Sequence, residues 1–125
     1  MFRKTRIAVA LAALAVALTA LTGIASAAGA DTKVTIKGEN GDYYGYVKSP
    51  DRDCAAERTV TVFKQLGSVQ DPRNDMKIGS DTSEPNGTKA MWSIGNSGYK
   101  SGKFYAKAGK VPGLCKAATS VTISR

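Results

Sequence analysis

The sequence predicts an all-β fold, a single β-sandwich of about seven short strands closed by one disulfide, and three observations point to it. Short runs rich in Val, Ile, Thr, Tyr and Phe recur between residues 33 and 123, each bounded by Gly, Asn, Asp, Ser or Pro. No stretch carries helical periodicity over ten residues. The two cysteines, Cys54 and Cys115, bracket most of these runs and stand just ahead of two of them.

The chain opens with Arg3, Lys4 and Arg6, followed from Ile7 to Ile24 by an Ala/Leu/Val stretch interrupted only by Thr19, Thr22 and Gly23. Positive, apolar and small-residue regions in this order predict a secretory signal peptide over residues 1–27, with cleavage after Ala25-Ser26-Ala27 and cuts after Ala28 or Ala30 as alternatives. The competing reading is a retained membrane anchor, since the stretch approaches a hydrocarbon thickness. The break at Thr22-Gly23 beside Ala-Ser-Ala favours cleavage, which leaves no membrane span. Residues 28–125 then make one domain with one modest core. Loss of Arg3, Lys4 and Arg6 takes the 18 Lys and Arg to 15 against 10 Asp and Glu, so the net charge falls from +8 to +5. A dispersed charge of this size excludes nucleic acid as a partner, because such binding needs a concentrated basic footprint.

In order, Lys33-Val34-Thr35-Ile36-Lys37 alternates as a half-buried strand. Asn40-Gly41 makes a tight turn into Tyr43-Tyr44-Gly45-Tyr46-Val47-Lys48, giving a hairpin. On that second strand Tyr44 and Tyr46 share one face, and Tyr43, Gly45 and Val47 the other. Arg58 to Leu66 is the strongest strand and is expected at the centre of a sheet, with Val60 and Val62 inward. Met76 to Ser80 is a short strand, and Asp81 to Gly87 a turn-rich connection. Lys89 to Ile94 places Trp92 and Ile94 together, Lys103 to Ala108 places Phe104 inward and Tyr105 outward, and the last strand turns Thr119, Val121 and Ile123 inward. The expected core is therefore Val60, Val62, Trp92, Ile94, Phe104, Val121 and Ile123.

An exported chain with two cysteines is expected to bond them. Closing a loop of about 60 residues stabilises by roughly 4 kcal/mol in the chain-entropy account. The chain has no histidine, which removes most hydrolase triads, histidine acid/base chemistry and common zinc sites. Asp51, Asp53, Asp71, Asn74, Asp75, Asp81 and Glu84 lie in turn-rich segments, where such residues serve the backbone. No metal site, cofactor or catalytic residue is assigned, and the chain is expected not to be an enzyme.

The stretch from Arg58 to Ala108 resembles the transthyretin-like, carboxypeptidase-regulatory-like and Cna-B-like β-sandwich group. The resemblance rests on Arg58-Thr59-Val60-Thr61-Val62-Phe63-Lys64, on Lys77 to Thr82 with Asn86-Gly87 and Trp92, and on Gly98 to Gly102 leading into Lys103-Phe104-Tyr105-Ala106-Lys107. It is particularly similar to small secreted actinobacterial proteins with the same cysteine placement. The resemblance implies a seven-stranded Greek-key sandwich serving as an accessory or recognition module, and it carries over no catalytic residues. An immunoglobulin-like sandwich is the alternative within the same shape, although Trp92 stands 38 residues after Cys54, late for the usual tryptophan strand.

The expected function is that of a secreted, non-enzymatic binding or structural module, with a cell-envelope polymer or a secreted protein as partner. One alternative is a small carbohydrate-binding module using Tyr44, Tyr46 and Tyr105 as candidate stacking residues. The other is a secreted inhibitor or toxin-like protein acting through its loops.

Overall fold

The computed structural model describes residues 29–125, so the signal segment expected at residues 1–27 lies outside the described residues. The fold is all-β: two sheets of antiparallel strands and one disulfide. Among the described residues, no helix is long and apolar enough to cross a membrane.

The first sheet grows from the predicted hairpin. Asn40 and Gly41 both adopt positive φ, 51° and 87°, the pairing a two-residue hairpin turn demands. They join β2 (Lys37–Glu39) to β3 (Asp42–Lys48). The strand expected from Lys33 to Lys37 is broken: β1 (Lys33–Val34) and β2 both pair with β3, with Thr35 and Ile36 looping between them. Gly45 of β3 permits this, because a Cβ there would collide with the Thr35 carbonyl. Thr35 is fixed by Tyr46, whose amide donates to its hydroxyl at 2.8 Å, and by the Trp92 indole, which donates to its carbonyl at 3.2 Å. On the other side of β3 lie β7 (Lys89–Ile94) and then the edge strand β6 (Glu84–Asn86).

In the second sheet, β4 (Thr59–Lys64) sits between β5 (Met76–Thr82) and β8 (Lys103–Ala108), the central position expected of its β-branched sequence. Strands β9 (Ala118–Thr119) and β10 (Ile123–Ser124) both pair with β8. The connection expected over residues 81–87 is largely strand. The chain passes from β5 in one sheet to β6 in the other through the single residue Ser83, whose buried hydroxyl accepts from the Arg58 amide and donates to the Ala55 carbonyl.

Between the sheets, Val34, Ile36, Tyr43, Val47 and Trp92 meet Val60, Val62, Phe104, Ala106 and Ala108. Ile94 and Ile123 are partly buried against this core. Val121 is not in it: the residue is 74% exposed. Thr119 pairs with Lys107 but Ile123 with Phe104, so four steps along the last strand match three along β8. One extra residue reverses the alternation. Ser120 therefore points inward and accepts from the Ala106 amide at 2.8 Å, while Thr119 and Val121 face solvent.

The disulfide joins Cys54, in a 3₁₀ turn ahead of β4, to Cys115, ahead of β9, with Cα atoms 5.5 Å apart. Beside it lies Arg58, only 1% exposed. Its guanidinium donates to Thr32 Oγ1, the Cys54 carbonyl, the Gly109 carbonyl and the Lys116 carbonyl at 2.6 to 2.9 Å. Nε is buried without a partner. Burial holds this guanidinium below its ordinary pKa. Four oxygen dipoles surround the charge in place of a carboxylate, tying together four segments that converge on the disulfide.

Candidate functional site

The two sheets present outer faces of opposite character. On the outer face of the second sheet, Phe63 and Tyr105 are cross-strand partners with rings stacked 5.2 Å apart. The segment between β4 and β5 closes over them: Asp75 accepts from the Leu66 and Asp71 amides and, at 2.6 Å, from the Tyr105 hydroxyl. Burial and the Asp75 carboxylate push the Tyr105 hydroxyl above its ordinary range, while the Tyr105 and backbone donors hold Asp75 below its own. Tyr105, a candidate stacking residue on the sequence, is fully buried and unavailable to a ligand. Its strand alternation was correct; a covering loop changed the outcome.

Three further carboxylates of the turn segments, those of Asp71, Asp51 and Asp81, are engaged in the same manner. Asn74 donates to Asp71, Asp51 caps the 3₁₀ turn by accepting from the Asp53 amide, and Asp81 accepts from the Ser93 amide. Among the described residues no group of three His, Cys, Asp or Glu could hold a metal ion.

The outer face of the first sheet is uncovered. Strand register lays its side chains out in rows. Lys37 stands opposite Tyr44, and Tyr44 opposite Ser93. In the next row Tyr46 faces Met91, which faces Glu84. In the last, Lys33 faces Lys48. Val47 pairs with Ala90, which brings Lys89 beside Lys48 from the neighbouring strand, with Asn86 beyond it. Tyr44 and Met91 are each 42% exposed. The sequence places Tyr44 and Tyr46 on one face of the strand and Tyr43 on the other, and the three lie so; the face of Tyr43 is the one turned to the core, its ring 4.7 Å from Phe104.

Tyr46 is engaged. The Lys89 ammonium sits 3.9 Å from its ring centroid, a cation–π contact that covers one ring face and holds the charge in place. Tyr44 is thus the freer stacking surface. It borders a depression of about 160 Å³ over Gly45, with Thr35, Lys37 and Met91 around it. At the far end of the same face Lys33, Lys48 and Lys89 line a wider groove of about 460 Å³ with Ser49, Pro50 and Thr88. The one ion pair among the described residues, Lys116 to Asp31 at 2.9 Å, engages the acidic residue at the mouth of that groove. Its hydrogen bond to Lys116 holds Asp31 below the ordinary carboxylate range.

Residue order alone does not single out these lysines. A signal was present in the alternation Tyr44, Tyr46, Lys48 on one strand and Lys33, Thr35, Lys37 on its neighbour. Only the register brings Lys89 beside them. The chain matches no protein-family model, no curated protein and no solved structure.

Proposed function

We propose that this chain is a secreted, non-enzymatic binding module of the cell envelope or extracellular medium, and that the uncovered face of its first sheet takes carbohydrate. The observation carrying this reading is the contrast in aromatic placement: Tyr43 and Tyr105 are buried, whereas Tyr44 lies on an uncovered sheet face beside a depression floored by glycine. An exposed aromatic ring over a shallow depression suits stacking on a sugar. Secretion is supported by the charged, apolar and small-residue order of residues 1–27. The strand order supports an immunoglobulin-like or transthyretin-like sandwich. With β1 and β2 as one interrupted strand, β9 and β10 as another, and β5 running on into β6, seven strands remain, and the corner at Ser83 passes one of them between sheets.

Titration of the purified protein with polysaccharides, followed by calorimetry and aromatic fluorescence, tests the reading. Saturable binding that Tyr44→Ala removes is the expected result. Absence of saturable binding, or binding unchanged in both Tyr44→Ala and Tyr46→Ala, would sink it.

A second reading, a secreted protein inhibitor or toxin-like effector, is favoured by one observation. Leu66 and Val69 on the covering segment, and Val121 on the bulge that Gln70 ties to it, are largely exposed. Recovery of one stoichiometric enzyme on the immobilised protein, lost in Val69→Asp, would support it over the first.

A further inference from the structure

Lys33 and Lys48 are direct cross-strand partners on the uncovered face, and Lys89 comes beside Lys48 from the third strand. Like charges placed opposite one another destabilise a sheet. Elsewhere a carboxylate would relieve the repulsion, yet among the described residues none lies within ion-pair distance of Lys33, Lys37, Lys48 or Lys89. Asp31, the acidic residue at the groove, is matched by Lys116. Other acids stand around its margins: Glu84 on the edge strand, Asp81 bound to the Ser93 amide, Glu39 and Asp42 at the hairpin end, and Asp53, which lines a neighbouring hollow with Lys89 but forms no ion pair with it. The clear path therefore runs along β3, from Lys37 and Tyr44 to the three lysines. Lys48 lies four steps along the strand from Tyr44, a span of roughly 13 Å at strand rise.

We propose that the ligand of this face is an acidic polysaccharide, with Tyr44 stacking on one sugar ring and Lys33, Lys48 and Lys89 gathering the anionic group of a neighbouring one. This rests on the carbohydrate reading above and narrows it to a charged polymer. Lysines suit the task because each is a compact point charge on a flexible stem, tolerant of how the anionic groups are spaced. Lys89 is the fixed member, held over the Tyr46 ring. Single-stranded nucleic acid fits less well, since it is held by successive bases stacking on several aromatic rings. Here one ring is free and its neighbour is already covered by an ammonium. An acidic protein would want a larger apolar anchor than Tyr44 and Met91 provide.

The test compares polygalacturonate with its fully methyl-esterified form, which has the same sugars without the charge. The expected result is saturable binding to polygalacturonate that weakens as salt rises, with at least tenfold weaker binding to the ester. The triple variant Lys33→Gln, Lys48→Gln, Lys89→Gln should lose about tenfold in affinity, as expected for three exposed charge contacts. A charge-matched control, Lys77→Gln, Lys103→Gln, Lys110→Gln, should change it less than about twofold on the same basis. The triple variant removes opposed like charges but also the cation–π contact of Lys89 with Tyr46, so it should melt close to the parent, and thermal unfolding of both triple variants separates a loss of binding from a loss of fold. Equal binding to both polymers, or equal losses in the two triple variants, overturns this inference while leaving a carbohydrate face standing. No saturable binding to either polymer overturns the carbohydrate reading with it. Tighter binding to oligodeoxythymidine than to polygalacturonate overturns the inference in favour of nucleic acid.

Discussion

Tyr105 and Tyr44 occupy comparable positions in the two sheets: each points away from the shared core on an interior strand, β8 in one and β3 in the other. One is sealed under a loop and the other is left in the open. Around Tyr105 the polar partners converge, with Asp75 receiving three donors and Phe63 covering the ring. Around Tyr44 and Tyr46 four lysines have no carboxylate partner among the described residues, and two of them are set directly opposite each other. The satisfied face contributes to stability. The unsatisfied face sets like charges opposite one another, an arrangement that costs a sheet stability, and this contrast is what the binding proposal rests on.

The comparison can be broken on either side, and the strongest test lies on the covered one. Tyr105→Ala removes a buried ring and a hydroxyl bonded to a carboxylate, and should cost roughly 5 kcal/mol, enough to approach the whole stability of a small domain. Urea unfolding monitored by Trp92 fluorescence measures it. A loss under about 1 kcal/mol would mean that the loop can collapse onto the vacancy.

The disulfide belongs to neither face. Replacing Cys54 and Cys115 together by Ala opens a loop with a sequence separation of 61 and should cost about 4 kcal/mol. Polysaccharide affinity of the molecules that remain folded should stay unchanged. An affinity loss in the folded fraction would show that the open face depends on the tie at the end of the molecule.

Tyr105→Phe keeps the ring and removes only the bond to Asp75, for an expected loss of about 2 kcal/mol. The same pair sets an acid limit. Asp75 is held below its ordinary value of 3.8, first by the Tyr105 hydroxyl and then by the Leu66 amide. A depressed carboxylate contributes stability that is present above the ordinary value and lost as pH falls through the folded one. Thermal unfolding followed from pH 7 to pH 2 should therefore show a decline below about pH 4. Tyr105→Phe should shrink that decline, whereas an identical acid profile in the variant would place the titrating group elsewhere.

The smallest effect is expected on the open face. Tyr44→Ala should change unfolding free energy by no more than about 0.5 kcal/mol while removing carbohydrate binding. A loss near that of Tyr105→Ala would erase the distinction between the two faces.

Local chemistry made the hairpin legible, because Asn40-Gly41 tolerates the positive φ its turn requires, and it made Cys54 and Cys115 legible as a pair. Alternation correctly separated Tyr43 from Tyr44 and Tyr46, and placed Val60, Val62, Trp92 and Phe104 in the core. The expectation for Thr119 and Val121 fails because a single extra residue between Thr119 and Ile123 shifts the alternation, so the inward parity of Ile123 does not extend back to them. The expectation for Tyr105 failed differently: period-two reasoning says which way a side chain points and nothing about what lies above it.

Features that depend on neighbours along the chain are thus readable from residue order: the turns, the strand alternation, and a strand rich in β-branched residues that needs a central position. Features that depend on neighbours across strands emerge only on folding. Arg58 became a buried hub because carbonyls from distant segments meet around it, and the lysines became a row because the register of three strands aligned them. Alternation carries one bit per residue, inward or outward. Register and cover are collective properties of the folded chain, and the candidate site is made of both.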